Sequence, residues 1–246
     1  MRTGGDKNQL SNFISYLINL ESRPDRLASS IDEAKKLNLN LIRIDAVTAK
    51  FDRQSDQLLS SSALACWNSH KKALTMFLDS DQSHCLILED DFLVKSPSRV
   101  FREITRINIP EWDFIQIGFL NTGFRDRVSR LMSNVETSVF RIAATIGRLN
   151  MFRILGFSSR LRIQRVQNVP NNCIPDDIRS GAHCFIVSRT LARTLISLND
   201  PAFVTADGLY SALAWDKSFK MIRLRRSAVS QSNSPSSIKV LKKDKS

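Results

Sequence analysis

Apolar residues in this chain cluster in short, mostly apolar runs, separated by longer stretches with helical spacing. The runs are FISYLINL at 13–20, LIRID at 41–45, HCLIL at 84–88, WDFIQIG at 112–118 and CFIV at 184–187. Short continuous runs suit strands covered on both faces, as in a parallel sheet. The stretch after the first run predicts a helix to about Leu37, with Ser22 as N-cap, Pro24 in the first turn and Asp25 closing a capping box. Further helices are expected from Ser61 to Asp79, from Ser98 to Ile107 and, capped by Ser188, to Leu198. Pro201–Trp215 carries Asp207 into a short helix, Met221–Leu224 reads as a last strand, and Ser227–Lys245 as a polar, lysine-tipped tail. The strand–helix–strand unit over 13–45 belongs in a right-handed parallel crossover. The pattern predicts an α/β, Rossmann-like, mostly parallel sheet flanked by helices. It forms one domain over 12–238, with flexible tails at 1–11 and 239–246.

One stretch breaks that pattern. Residues 121–180 hold ten arginines, no lysine and four acids, which is half of the chain's formal charge of +12. Within them Leu131, Val135, Val139, Ile142, Ile146 and Leu149 recur at three- and four-residue spacing. An arginine-rich helical insertion with one apolar stripe is expected there. Two readings stand open: the stripe packs on the domain, or residues 125–165 meet an anionic membrane surface. A charge of +12 calls for an anionic partner, whether nucleic acid, lipid surface or phosphate-bearing substrate.

No apolar run approaches the roughly 18–20 residues that span a bilayer. The opening MRTGGDKNQLSN lacks the apolar core of a secretory signal. Cys66, Cys85, Cys173 and Cys184 form no C-x-x-C pair and read as reduced, partly buried thiols. The expected location is the cytoplasm, peripheral at the inner face of the membrane.

The chemistry gathers where the third run ends, at Glu89-Asp90-Asp91. In open α/β sheets ligands collect beyond the carboxyl ends of strands. Three adjacent acids repel one another and lose hydration when buried, so they need a cation or a cationic partner. Strand alternation would place Glu89 and Asp91 on one face and Asp90 on the other. Glu89 and Asp91 would then form an oxygen pair for Mg²⁺ or Mn²⁺; the other reading is a solvated acidic turn at a strand end. Arg23 and Arg26 stand at a helix N-terminus, a place that attracts phosphate. No G-x-G-x-x-G or Walker sequence follows the first run, which removes the usual dinucleotide and P-loop readings.

Taken together, these pieces resemble glycosyltransferase family 25, the group of lipooligosaccharide and collagen galactosyltransferases. Tyr16–Leu20 with Arg23-Pro24-Asp25-Arg26 is similar to its "INL-x-x-R-x-x-R" opening, and Asp45-Ala46-Val47 to its "D-A-V" element. Cys66–His70 is similar to the helix ending in "S-H", and Leu86–Asp91 to the "LEDD" signature. Gly181–Arg189 resembles the "G-T-x-x-Y-x-I-S" block, Asp207 the late aspartate, and Gln231–Ile238 the closing "Q-x-x-x-x-S-x-I". Thr48-Ala49 departs from the usual acid-glycine, and the arginine-rich insertion lies outside the resemblance.

The resemblance implies a GT-A-type fold that inverts configuration while moving a sugar, most often galactose, from a UDP-sugar with Mn²⁺ to a glycan, lipid-linked or protein acceptor. Asp91, supported by Glu89, would hold the metal. Asn19, Arg23, Arg26, Asp45, Ser69, His70, Glu89 and Asp90 would face the nucleotide-sugar donor. Asp207 is the first candidate for the base that deprotonates the acceptor, and His183 the second. A different class also fits the charge and the acids: a basic nucleic-acid-binding protein or metal-dependent nuclease. Against it, the aromatics are not interleaved with the arginines, and no nucleic-acid-binding signature appears. A glycosyltransferase fold that has become a binding protein is a third reading.

Overall fold

The computed structural model describes residues 9–48, 59–120, 168–181, 183–216 and 219–232. Its strands are β1 (Ile14–Asn19), β2 (Leu41–Asp45), β3 (His84–Glu89), β4 (Phe92–Leu93), β5 (Phe114–Gly118), β6 (Cys173–Pro175), β7 (Cys184–Ser188), β8 (Met221–Leu224) and β9 (Ser230–Gln231). Its α-helices are α1 (Pro24–Lys35), α2 (Ser61–Leu78), α3 (Pro97–Ile104), α4 (Arg189–Leu198) and α5 (Ala206–Asp216). Most of the expected helix, 121–167, lies outside the described residues.

Seven strands form one sheet in the order β2-β1-β3-β7-β5-β8-β6, and β4 pairs with β9 in a separate ribbon. The β2-β1-β3 part is parallel, as is β5-β8. β7 runs antiparallel between β3 and β5, and β6 runs antiparallel on the edge beside β8. The mostly parallel expectation therefore holds in a mixed sheet.

Strand alternation divides the core in two. Leu17, Leu86, Leu88, Ile115, Ile117 and Ile186 pack on one face with Ala34 of α1 and Val100 and Ile104 of α3. Tyr16, Ile18, Cys85, Ile87, Phe114, Phe185 and Val187 pack on the other face with α2, α4 and α5. This two-sided cover explains why the central strands β1, β3, β5 and β7 are mostly apolar, while β2 at the edge carries exposed residues. Each fully buried aliphatic side chain contributes about 1.5–3 kcal/mol, so Leu86→Ala would cost about 2–5 kcal/mol.

Local chemistry sets the helix ends. Ser188 Oγ accepts from Leu191 N at the start of α4, as the sequence predicts, and Ser60 Oγ caps α2 through Ala63 N. The predicted Ser22 cap does not form: Arg23 occupies the N-cap position, Pro24 opens α1, and Asp25 pairs with Arg23 at 2.7 Å instead. With its carboxylate committed to a guanidinium, Asp25 does not close a capping box.

The topology brings one end of the sheet together. The carboxyl ends of β1, β2, β3, β5 and β8 and the start of β7 all lie there, because Leu88 pairs with Cys184 and Gly118 also meets Cys184. No helix among the described residues is long and apolar enough to cross a membrane.

Candidate active site

The three acids at the end of β3 part company. β3 ends at Glu89, and Asp90-Asp91 form the tight turn into β4. Pleating carries Glu89 to the same face as Cys85 and Ile87, the α2/α5 side. Asp90 goes to the face of Leu86 and Leu88, the α1 side. The alternation that would have paired Asp91 with Glu89 stops with the strand. The turn instead delivers Asp91 to the same side as Asp90, and this corrects the sequence expectation.

On the α1 side the acids find the cationic partner that their repulsion demands. Arg26 Nη2 lies 3.0 Å from Asp90 Oδ1 and 2.8 Å from Asp91 Oδ2. The three side chains are only 11%, 9% and 14% exposed, so these contacts work in a poorly solvated setting. Asn19 Nδ2, at the end of β1, donates to Asp90 Oδ2 at 2.8 Å, and Gln231 Nε2 of β9 donates to Asp91 Oδ2 at 2.6 Å. Arg43 Nε in turn donates to Asn19 Oδ1 at 3.2 Å, fixing that amide's orientation. Burial pushes the Asp90 carboxyl above its ordinary range, with Arg26 and Asn19 pulling it back. Asp91 Oδ1 is buried and has no hydrogen-bond partner among the described residues.

The α2/α5 side is built differently. His70 of α2 is buried, with Nε2 3.3 Å from Glu89 Oε1 and Nδ1 3.2 Å from the Tyr210 hydroxyl of α5. Its ring stacks on Phe185 at 5.9 Å. Cys66, one helical turn before His70, completes a group whose ligating atoms all lie within 4.8 Å of one another. Burial opposes the charged imidazole, but hydrogen bonds to Cys66 and Glu89 outweigh it and lift the His70 pKa to about 10.

The remaining predicted residues fall around this rim. Asp45 is exposed at the end of β2 and pairs with Arg43 at 3.1 Å. Ser69 Oγ donates to Ala65 O and accepts from Val47 N, both at 2.8 Å, pinning the loop after β2 to α2. Asp207, in the first turn of α5, accepts from Gly181 N at 2.8 Å through Oδ2. Gly181 has φ +77°, and a Cβ there would lie 2.5 Å from Leu120, so only glycine suits this junction. Asp207 thereby ties α5 to the segment that leads into β7, beside Glu89.

His183, the second candidate base, is completely buried and meets Val229 O through Nε2 at 3.1 Å. Gly118 packs so closely that a Cβ there would stand 2.7 Å from the same nitrogen. An imidazole enclosed in this way holds β5, β7 and the segment before β9 together; it does not face an acceptor.

Sequence reasoning missed Gln231 and Tyr210 as site residues, and it read Cys66 as partly buried. Gln231 lay inside the closing motif, which was a usable signal. Tyr210 carried only the helical offset from Asp207. Cys66 is exposed, while Cys85, Cys173 and Cys184 are buried, and all four are free thiols.

Acids at the carboxyl end of a two-sided α/β sheet, backed by an arginine and an asparagine from β1 and α1, match a known pattern along the chain. Glycosyltransferase family 25 (LPS biosynthesis protein) matches over residues 13–209, from β1 into α5. The chain belongs to glycosyltransferase family 25. A comparison with individually curated proteins gives no match. Family membership identifies the mixed sheet as GT-A-like and decides between the classes that charge left open, in favour of sugar transfer.

Proposed function

We propose that this family 25 protein is an inverting transferase that moves a hexose, galactose in the first instance, from a UDP-sugar to the hydroxyl of a glycan or lipid-linked acceptor, with a divalent cation. The observation that carries the reading is the α1-side cluster: two largely buried carboxylates share one arginine, and one of them keeps a buried oxygen with no partner among the described residues. An unpaired buried carboxylate oxygen is costly and is the donor type that Mg²⁺ and Mn²⁺ prefer. The residues therefore fit such an ion, with Asp91 as its protein ligand. Glu89, first expected to share it, turns to His70 instead. When bound, the ion supplies Lewis-acid neutralisation of the charge that develops on the departing diphosphate.

The protein's own groups do the rest. Asn19 and Arg26 hold Asp90 and Asp91 in register, and Arg23 and Asp45 line the donor side of the rim. The Asp207 carboxylate takes the proton from the acceptor hydroxyl as its oxygen attacks the anomeric carbon. The bond from that carbon to the UDP oxygen breaks on the opposite face, so configuration inverts. The arginines of 125–165, a segment outside the described residues, bring the enzyme to an anionic membrane surface where a lipid-linked acceptor is found.

Release of UDP from a panel of UDP-sugars, with and without Mn²⁺, tests the reaction. Turnover with one UDP-hexose that EDTA abolishes is expected, and EDTA-resistant turnover would remove the cation from the account. Vesicle co-sedimentation tests the surface contact. Binding should require acidic lipid, weaken with salt and disappear in Arg141→Glu, Arg148→Glu. Equal binding to neutral vesicles would contradict it.

A further inference from the structure

The α2/α5-side group has no task in the transfer reaction just described. Cys66 and His70 stand four residues apart on one face of α2, and Glu89 approaches them from the end of β3. A thiolate, an imidazole and a carboxylate form a borderline ligand set. Such a set suits Zn²⁺ and Co²⁺, not the all-oxygen shells of Mg²⁺ and Ca²⁺. We infer that Cys66, His70 and Glu89 form a second cation site, of the zinc class, on the opposite side of β3 from the Asp90–Asp91 turn.

Two further observations support it. The first is the hydrogen bond between Tyr210 and His70 Nδ1 at 3.2 Å. Metal-bound histidines commonly donate their far N–H to an oxygen acceptor, a place the Tyr210 hydroxyl can take here, which would fix the tautomer and leave Nε2 for the ion. His70 Nε2 is the nitrogen that already faces Glu89. The second is exposure. His70 is buried, but Cys66 is exposed and the Glu89 side chain is 31% exposed, so an ion can reach the site from solvent.

Zinc–ligand bonds of about 2.0–2.3 Å in tetrahedral geometry separate ligand atoms by roughly 3.3–3.8 Å. The present atoms, within 4.8 Å of one another, need only a modest closure. The three ligands leave a fourth position open, as in zinc sites that bind water or a hydroxyl.

The test uses the full chain stripped with chelator. Zn²⁺ is titrated by calorimetry and Co²⁺ by absorption. One equivalent should bind, and Co²⁺ should show an intense near-ultraviolet thiolate charge-transfer band. Cys66→Ser, at an exposed position, should remove that band and weaken Zn²⁺ by more than about tenfold. Glu89→Gln should keep the band and weaken Zn²⁺, and Tyr210→Phe should weaken it about tenfold through loss of the outer hydrogen bond. Asp91→Ala should leave the band unchanged, which separates this site from the proposed donor cation. No stoichiometric Zn²⁺ binding, a band that survives Cys66→Ser, or a band lost in Asp91→Ala would overturn the assignment.

Discussion

The two sides of β3 take consecutive acids of one sequence and give them opposite surroundings. On the α1 side, Asp90 and Asp91 share a guanidinium and two amide donors, and the ligand atoms are all oxygen. On the α2/α5 side, Glu89 meets an imidazole and a thiol, backed by a tyrosine hydroxyl and an aromatic stack. The difference comes from the sheet: the pleat separates Glu89 from Asp90, and a turn then keeps Asp91 with Asp90. One acidic triplet therefore presents two ligand sets, an all-oxygen one beside an arginine and a mixed one facing a histidine and a thiol.

The comparison breaks most visibly at Asp91. Asp91→Ala should reduce turnover by about 10²–10³-fold or more, since Lewis-acid stabilisation is worth several kcal/mol. Its Tm should change little, because Arg26 keeps Asp90 and one buried negative charge is gone. Steady-state kinetics alongside a thermal melt checks both halves, and near-normal turnover would contradict the role.

Arg26→Ala should act on stability instead. Removing one partner of a largely buried ion pair costs about 3–5 kcal/mol, since two carboxylates then lack their cation. Adding Asp90→Asn should recover part of that loss, because burial already disfavours the charged form of Asp90. A double-variant cycle by denaturant unfolding measures the coupling, and additive losses would show that Arg26 does not stabilise Asp90.

Asp207→Asn should lower kcat by about 10²-fold while donor affinity by calorimetry stays near wild type. Loss of donor binding would move Asp207 from base to nucleotide contact. The smallest effect belongs to Tyr210→Phe without metal. Removing the hydroxyl that meets the His70 ring should cost about 1 kcal/mol of stability with little change in donor affinity.

Much of this arrangement was legible in the chain. Mostly apolar runs announced strands covered on both faces, Ser188 announced the start of α4, and the acid triplet announced its need for a cationic partner. The destination of Asp91 was not legible, because period-two reasoning holds only while the strand lasts and β3 ends two residues earlier. Gln231 and Tyr210 reach the site from 140 residues away along the chain, through β9 and α5, and local pattern carries no such information. His183 misled for a related reason: its place at a strand start was readable, but the closeness of Gly118 that encloses it was not.

The most direct test of the division between the two sides is UDP binding by calorimetry, with and without Mn²⁺, in wild type, Asp91→Ala and Glu89→Gln. The two-sided account predicts Mn²⁺-enhanced UDP binding that Asp91→Ala abolishes and Glu89→Gln retains. Enhancement lost in Glu89→Gln and retained in Asp91→Ala would place the donor's cation on the His70 side and contradict the account.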